Sequence, residues 1–187
     1  MLNLLYSLFL DNSSTAATLG ITLLVKLLPF LALHAREDLK GMLPKLLAIL
    51  ARIMCWKERR ASKGGIQLSE GIDADLEREL EYETNPVLDI SPDIQWERLE
   101  MSFHAAASLP PSSRTYFTML YYLYPANLLK FLRSPAEYLR ESGLSSPYVQ
   151  TWEQAFEADE VQRRSKVCLF LISNLSVWFH FLFACRI

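Results

Sequence analysis

The chain has 187 residues, a formal net charge of −2, 51% hydrophobic residues and 21% charged residues. This length suffices for one sizeable core, and the composition excludes a chain that is disordered throughout. Its three cysteines, Cys55, Cys168 and Cys185, lie far apart and form no CxxC pair. They therefore argue against a disulfide framework or a zinc site and favour a reducing compartment.

The first ten residues are apolar, but they lack the basic region and the small-residue cleavage site of a signal peptide. We interpret residues 1–10 as the last part of a core helix, so that the chain begins within a fold. The polar residues 11–15 then read as a helix end followed by a new N-cap.

Two long helices are predicted next, over residues 15–34 and 36–56. In the first, the leucines recur on one wide face that Ile21 and Val25 extend, so this helix should be buried on most sides. Pro29 and Pro44 should kink the two helices. The short link between them predicts an antiparallel helical hairpin.

Residues 57–100 differ in character. From residue 70 to residue 100 there are eleven acidic and two basic residues, a local net charge of −9. Prolines at positions 86 and 92 interrupt any long helix. We predict a solvated, partly disordered loop that is long for a compact domain and is typical of an insertion or an interaction loop.

Helical patterning returns over residues 94–109, where Trp96, Leu99 and Phe103 share one side. Shorter helices are predicted over 116–124, 126–133, 135–140 and 148–160, separated by proline-containing turns. Sustained alternation of period two is lacking, so no strands are expected.

The predicted fold class is all-α: a HEAT-like α-solenoid of antiparallel helical hairpins with a long acidic loop, and a generic helical bundle is the alternative. The predicted divisions are a helical region over 1–57, the acidic loop over 58–93, a second helical region over 94–165 and an apolar tail over 166–187.

Two blocks of sequence resemble the hamartin family, the scaffold subunit of tuberous sclerosis complexes. The first comprises residues 23–30 and 46–57 and includes Trp56; its leucine-rich helices make it the less specific block. The second comprises residues 116–133 and is similar to the family segment lyxlYPxNfxxFLR. The matching residues are Tyr124, Pro125, Asn127, Phe131, Leu132 and Arg133.

This resemblance covers residues 15–165 and implies a non-catalytic scaffold, not an enzyme. Hamartin pairs with tuberin, whose GTPase-activating domain acts on the small GTPase Rheb, so that the complex lowers TOR signalling. The tuberin-binding coiled coil of that family lies downstream, and this chain has no sustained heptads. The resemblance also implies a cytoplasmic protein, with peripheral association with a lysosomal or vacuolar membrane as an option.

The tail departs from the family pattern, because residues 167–184 are 18 uncharged residues. That number is at the lower limit for crossing about 30 Å of hydrocarbon. A buried or non-native helix, a membrane-inserted helix and an interfacial helix all remain open. Arg163, Arg164 and Lys166 would favour a cytoplasmic N-terminal side. The alternative function is therefore a small single-pass membrane protein with a cytoplasmic helical domain.

Signatures of catalysis and of metal binding are missing from the sequence: it has no GxSxG, P-loop, GxGxxG or HExxH motif. We expect no cofactor, no nucleic-acid partner and no small-molecule substrate. Asn127 and Arg133 fit either a surface binding pair or helix capping. A basic strip on the second predicted helix could meet anionic lipid headgroups or simply be solvated; its residues are Lys40, Lys45, Arg52 and Lys57.

Overall fold

The computed structural model describes residues 2–57, 59–61, 88–94 and 111–184, and the side chains at these positions except 2–3, 59–61, 171 and 173–184. This part of the chain is mostly helical, which confirms the all-α prediction in its coarse form. Its helices are α1 (Leu2–Leu10), α2 (Ser14–His34), α3 (Arg36–Met54), α4 (Arg114–Leu123), α5 (Pro125–Arg133), α6 (Pro135–Glu141), α7 (Trp152–Ala155) and α8 (Ala158–Ala184).

Local sequence explains the start of α2 and its separation from α3. The hydroxyl of Ser13 accepts a hydrogen bond from the backbone N–H of Ala16 at 3.2 Å, which satisfies a donor of the first helical turn. Ala35 alone separates the two helices, which pack against each other. Each helix continues past its internal proline, Pro29 in α2 and Pro44 in α3.

Helix α3 lies at the centre of the packing, because it contacts α1, α2, α6 and α8. Every residue from Leu46 to Met54 is buried, so the second half of the helix has no solvent-facing side. Tyr116 of α4 donates its hydroxyl proton to the carbonyl oxygen of Leu46 at 2.9 Å. Complete burial raises the pKa of Tyr116, so that this hydroxyl remains a donor.

The prediction that the chain lacks strands is wrong. Strand β1 (Arg59–Ala61) pairs in parallel with β2 (Leu88–Ile90), and Ile90 forms an isolated antiparallel bridge with Tyr148. Strands of three residues are too short to show an alternating pattern, and their pairing joins distant parts of the chain. Of the predicted acidic loop, residues 58 and 62–87 lie outside the described residues. So do Trp96, Leu99 and Phe103 of the helix predicted over 94–109.

The predicted helix over residues 148–160 is interrupted in the structure. Tyr148 belongs to the bridge with β2, α7 occupies only Trp152–Ala155, and Phe156 is extended before α8 begins. The reason is tertiary: Phe156 is buried and its ring stacks on Trp152 at 5.2 Å between centroids. Helix α8 then runs without a break through the predicted boundary between residues 165 and 166.

Candidate interaction surface

The predicted basic strip does not exist as one exposed face, because Arg52 is completely buried. The Arg52 guanidinium donates hydrogen bonds to the carbonyl oxygens of Leu8 and Asp11, at the end of α1. It also lies 4.5 Å from the ring centroid of Trp56, within the range of a cation–π contact. The last carbonyls of a helix lack intrahelical donors, so Arg52 ties the C-terminal end of α1 to α3.

The three lysines of the predicted strip occupy different environments. Lys40 is exposed and pairs with Glu37 at 2.8 Å, one turn away on the same helix. The side chain of Lys57 is only 10% exposed; its ammonium pairs with Glu157 at 3.0 Å and donates to the carbonyl oxygen of Gln154. Lys45 is half-buried and lines a cavity. Lipid contact by these residues as a group is therefore not supported by their geometry.

The residues of the Tyr-Pro-x-Asn motif divide into buried and exposed members. Phe131 and Leu132 are buried in the core, and the ring of Phe131 meets that of Tyr138 edge to face at 5.7 Å. Tyr124 is half-buried between α4 and α5, and Pro125 occupies the first turn of α5, as predicted. The buried members of the motif therefore pack α5 against its neighbouring helices.

Asn127 and Arg133 are both exposed. The capping role considered for Asn127 is wrong, because the N-cap of α5 is Tyr124 and no side-chain hydrogen bond caps this helix start. The Asn127 side-chain amide instead donates to the hydroxyl of Tyr138 on α6 at 3.3 Å. The backbone carbonyl of Arg133 accepts a hydrogen bond from the Gln162 side chain at 3.4 Å. Asn127 and Arg133 thus contact neighbouring helices through different groups, and in the described part of the chain they do not pair with each other.

Helix α2 carries a row of exposed large apolar side chains. Its inner side packs on α1, α3 and α4, with Ala17, Gly20, Ile21, Leu24 and Leu28 buried. On the outer side Leu19 is 67% exposed, Leu23 46%, Phe30 59% and Leu33 80%. At 3.6 residues per turn these four side chains fall roughly opposite the buried ones. We call them the outer α2 face.

A cation, Lys26, lies among the four apolar residues of the outer α2 face. It is exposed and has no charged or hydrogen-bonded partner among the described residues. Helix α2 carries no acidic residue. Single exposed apolar residues are common on proteins, but a contiguous row of large ones marks a surface used for binding. The row from residue 19 to residue 33 spans about 21 Å at the rise of an α-helix.

By length and composition α2 could cross a membrane: its 21 residues reach a mean hydropathy of 2.0 over an 18-residue window, of which 28% is buried. Helix α2 is therefore a membrane candidate in addition to the apolar tail, the one segment that was considered for membrane insertion from the sequence. Both a core helix and a membrane helix satisfy this criterion. The packing of the inner side of α2 on three neighbouring helices favours a helix that belongs to the folded core.

The described cysteines are buried thiols. Burial raises the pKa of Cys55, whose Sγ lies 3.6 Å from the carbonyl oxygen of Glu157, and burial likewise raises the pKa of Cys168. Both thiols are therefore protonated at neutral pH and poor nucleophiles. Among the residues that the structure describes, no group of three His, Cys, Asp or Glu side chains could hold a metal ion.

Comparison with known proteins gives no match: no protein-family model, no curated protein and no solved structure is similar to this chain at a significant level.

The outer α2 face was missed in the sequence because α2 was expected to be buried on most sides. Leu19 and Leu23 were assigned to the same apolar face as Leu24 and Leu28, yet the structure exposes the first two. The available signal was that the apolar residues of α2 are too many for one face. They form two stripes on opposite sides of the helix, and two stripes predict two different neighbours.

Proposed function

We propose that the chain is a non-catalytic scaffold, the N-terminal helical core of a hamartin-like subunit. In this proposal it belongs to a complex with a tuberin-like GTPase-activating subunit that stimulates GTP hydrolysis on Rheb and restrains TOR signalling. The resemblance of residues 116–133 to the family segment supports this assignment, as does the mostly helical fold. A HEAT-like stacking of the helices is part of the proposal, because such arrays hold partners on extended surfaces.

The observation that carries the proposal is the outer α2 face. Leu19, Leu23, Phe30 and Leu33 lie on a helix whose other side is fixed by the core, so the row is rigidly presented. Residues spaced by three, four and seven positions along a helix are the anchors by which helices bind helices. We therefore assign the face to an amphipathic helix of a protein partner.

Charge favours a particular kind of partner helix. Lys26 lies in the middle of the outer α2 face, and no described carboxylate neutralises it. A partner helix with an acidic residue opposite Lys26 and apolar residues on either side would satisfy both parts of the face. A basic partner helix would place like charges together, which is unfavourable in a desolvated contact.

A small single-pass membrane protein remains the second candidate function, because α2 has the length and hydropathy of a membrane span. Carbonate extraction of membranes from the source cell distinguishes the two functions. The scaffold is released into the supernatant, whereas a membrane-spanning protein stays in the pellet.

Two charges placed on the outer α2 face should abolish partner binding. We expect the double variant Leu23→Asp/Leu33→Asp of the full-length gene product to recover at least ~10-fold less of its helical partner, because burying an unpaired carboxylate is costly. Both side chains are exposed, so the melting temperature should change little. Affinity purification with quantitative mass spectrometry, together with TOR kinase output in the source cell, measures the effect.

Leu129→Asp is the matched control, because Leu129 is 48% exposed but lies on α5, away from the outer α2 face. It should retain wild-type binding. The proposed function is contradicted if the wild-type full-length product recovers neither a GTPase-activating subunit nor another TOR-pathway protein. The assignment of the face is contradicted if the double variant binds as well as the control.

A further inference from the structure

A cavity of about 320 Å³ lies between α1, α3 and the segment that joins α6 to α7. Its walls are mostly apolar and include Leu5 and Phe9 of α1, Ile94 after β2, Leu144, and Trp152 of α7. This volume is at the small end of the range of about 300–1,000 Å³ that is typical of ligand pockets. The cavity lies apart from the outer α2 face, since none of the four residues of that face lines it.

Hydrogen bonds fix the far wall of the cavity. Tyr148 donates its hydroxyl proton to the carbonyl oxygen of Phe9 at 2.8 Å, and the Trp152 indole N–H donates to the carbonyl oxygen of Leu144 at 2.8 Å. The backbone N–H of Ser91 donates to the carbonyl oxygen of Pro147 at 3.0 Å. These bonds tie the segment to α1, α7 and the end of β2. The cavity is therefore preformed, which reduces the entropic cost of binding.

Three polar side chains line the cavity without a partner in the described part of the chain: the ammonium of Lys45 and the hydroxyls of Tyr6 and Ser145. The described lining contains no Asp or Glu. Lys45 is half-buried, so it carries a positive charge at an apolar wall where water screens it less than at an open surface. A cation in such a place favours an anion that brings apolar surface with it.

We propose that this cavity binds a small amphipathic carboxylate, whose carboxylate pairs with Lys45 and whose apolar part packs against Phe9, Leu144 and Trp152. In this proposal the hydroxyls of Tyr6 and Ser145 donate hydrogen bonds to the second carboxylate oxygen, because a carboxylate accepts several hydrogen bonds at once. A phosphate would bring more charge than one lysine balances and would not use the apolar walls. The carboxylate comes either from a free organic acid or from the C-terminal residue of a peptide.

The test is a titration of the folded 187-residue chain, followed by two-dimensional ¹H–¹⁵N NMR. The probes are 3-phenylpropanoate, its uncharged amide 3-phenylpropanamide, and acetyl-glycyl-phenylalanine with a free carboxylate. We expect the two carboxylates to shift the indole N–H resonance of Trp152 and the amides of residues 143–146, with dissociation constants below roughly 1 mM. The amide should bind at least ~10-fold more weakly, since it lacks the charge that Lys45 recognises.

Lys45→Met removes the ammonium but keeps most of the apolar stem, so it should weaken carboxylate binding at least ~10-fold and leave amide binding unchanged. Lys40→Met, at an exposed lysine of α3 that does not line the cavity, is the matched control and should bind as the wild type does. If only the peptide binds, the ligand of the cavity is the C-terminal residue of a protein. If both carboxylates bind, the cavity also accepts free organic acids.

Three results would overturn the proposal. The first is the absence of any shift at Trp152 up to roughly 10 mM of either carboxylate. The second is equal affinity of the carboxylate for Lys45→Met and for the wild type, with the melting temperature of the variant confirming that it is folded. The third is a set of shifts confined to residues outside the cavity.

Discussion

Replacing Arg52 with methionine is expected to lower the free energy of unfolding by about 2–4 kcal/mol, because two backbone carbonyl oxygens lose a charged donor. Methionine keeps much of the apolar stem but removes both donors that the guanidinium supplies to the carbonyl oxygens of Leu8 and Asp11. Leu8 is buried, and an unpaired polar group in such a place costs about 1–3 kcal/mol. The contact with Trp56 is lost as well. Urea unfolding followed by circular dichroism measures the change.

Lys40→Met is the matched control for Arg52, because Lys40 is an exposed cation on the same helix with a single surface ion pair. We expect it to change stability by less than about 0.5 kcal/mol. Arg52→Lys should lie between the two, since one ammonium cannot reproduce the planar, two-pronged contact of the guanidinium. Equal stability of Arg52→Met and Lys40→Met would show that the tie between α1 and α3 is not what stabilises this end of the fold.

Phe131→Ala is expected to destabilise the fold by about 3–5 kcal/mol, the range for removing a fully buried aromatic ring. Phe131 is completely buried on α5, which contacts α4, α6 and α8, so the cavity left behind would be shared by several helices. The edge-to-face contact with Tyr138 is lost too. Thermal and urea unfolding should both report the loss.

Two exposed residues of the same helix serve as controls. Leu129→Ala and Asn127→Ala should each cost less than about 1 kcal/mol, because neither side chain is buried. The contrast would show that the motif residue Phe131 acts through packing. A loss at Asn127 as large as that at Phe131 would contradict this, and would make the hydrogen bond to Tyr138 the more important contact between α5 and α6.

Local signals predicted the helices well where the sequence itself caps or interrupts them. Ser13 before α2 and Pro125 at the first turn of α5 act within a few residues, and the structure confirms both helix starts. Pro135 likewise opens α6. These residues set backbone conformation directly, so their effect needs no knowledge of the tertiary contacts.

Arg52 could not be placed from sequence, because helical periodicity assigns an arginine to the solvent side by default. Its burial depends on two carbonyls at the end of α1, more than 40 positions away in the chain. The pairing of Arg59–Ala61 with Leu88–Ile90 likewise joins segments that are distant in the sequence. Long-range partners of this kind leave no local pattern, which also explains why the break at Phe156 was missed.

The sequence predicts the apolar residues of the outer α2 face but not their exposure to solvent. Apolar residues on two sides of α2 indicate two neighbours, but the sequence does not say which side belongs to the core. Packing of α2 against α1, α3 and α4 assigns Leu24 and Leu28 to the inside and leaves Leu23 and Leu33 outside. The resemblance to hamartins suggests that the partner of this outer side belongs to a complex with a GTPase-activating subunit. That assignment of the partner is a prediction.

The most direct measurement of the scaffold proposal is covalent trapping from the outer α2 face. A photoreactive amino acid is placed at position 33 of the full-length gene product in its source cell, and at position 129 of α5 as the matched exposed leucine. We predict that the position-33 adduct is an amphipathic helical segment of a GTPase-activating subunit or of another protein of the same purified complex. Adducts at position 33 that are no more frequent than at position 129, or that consist of lipid, would contradict it.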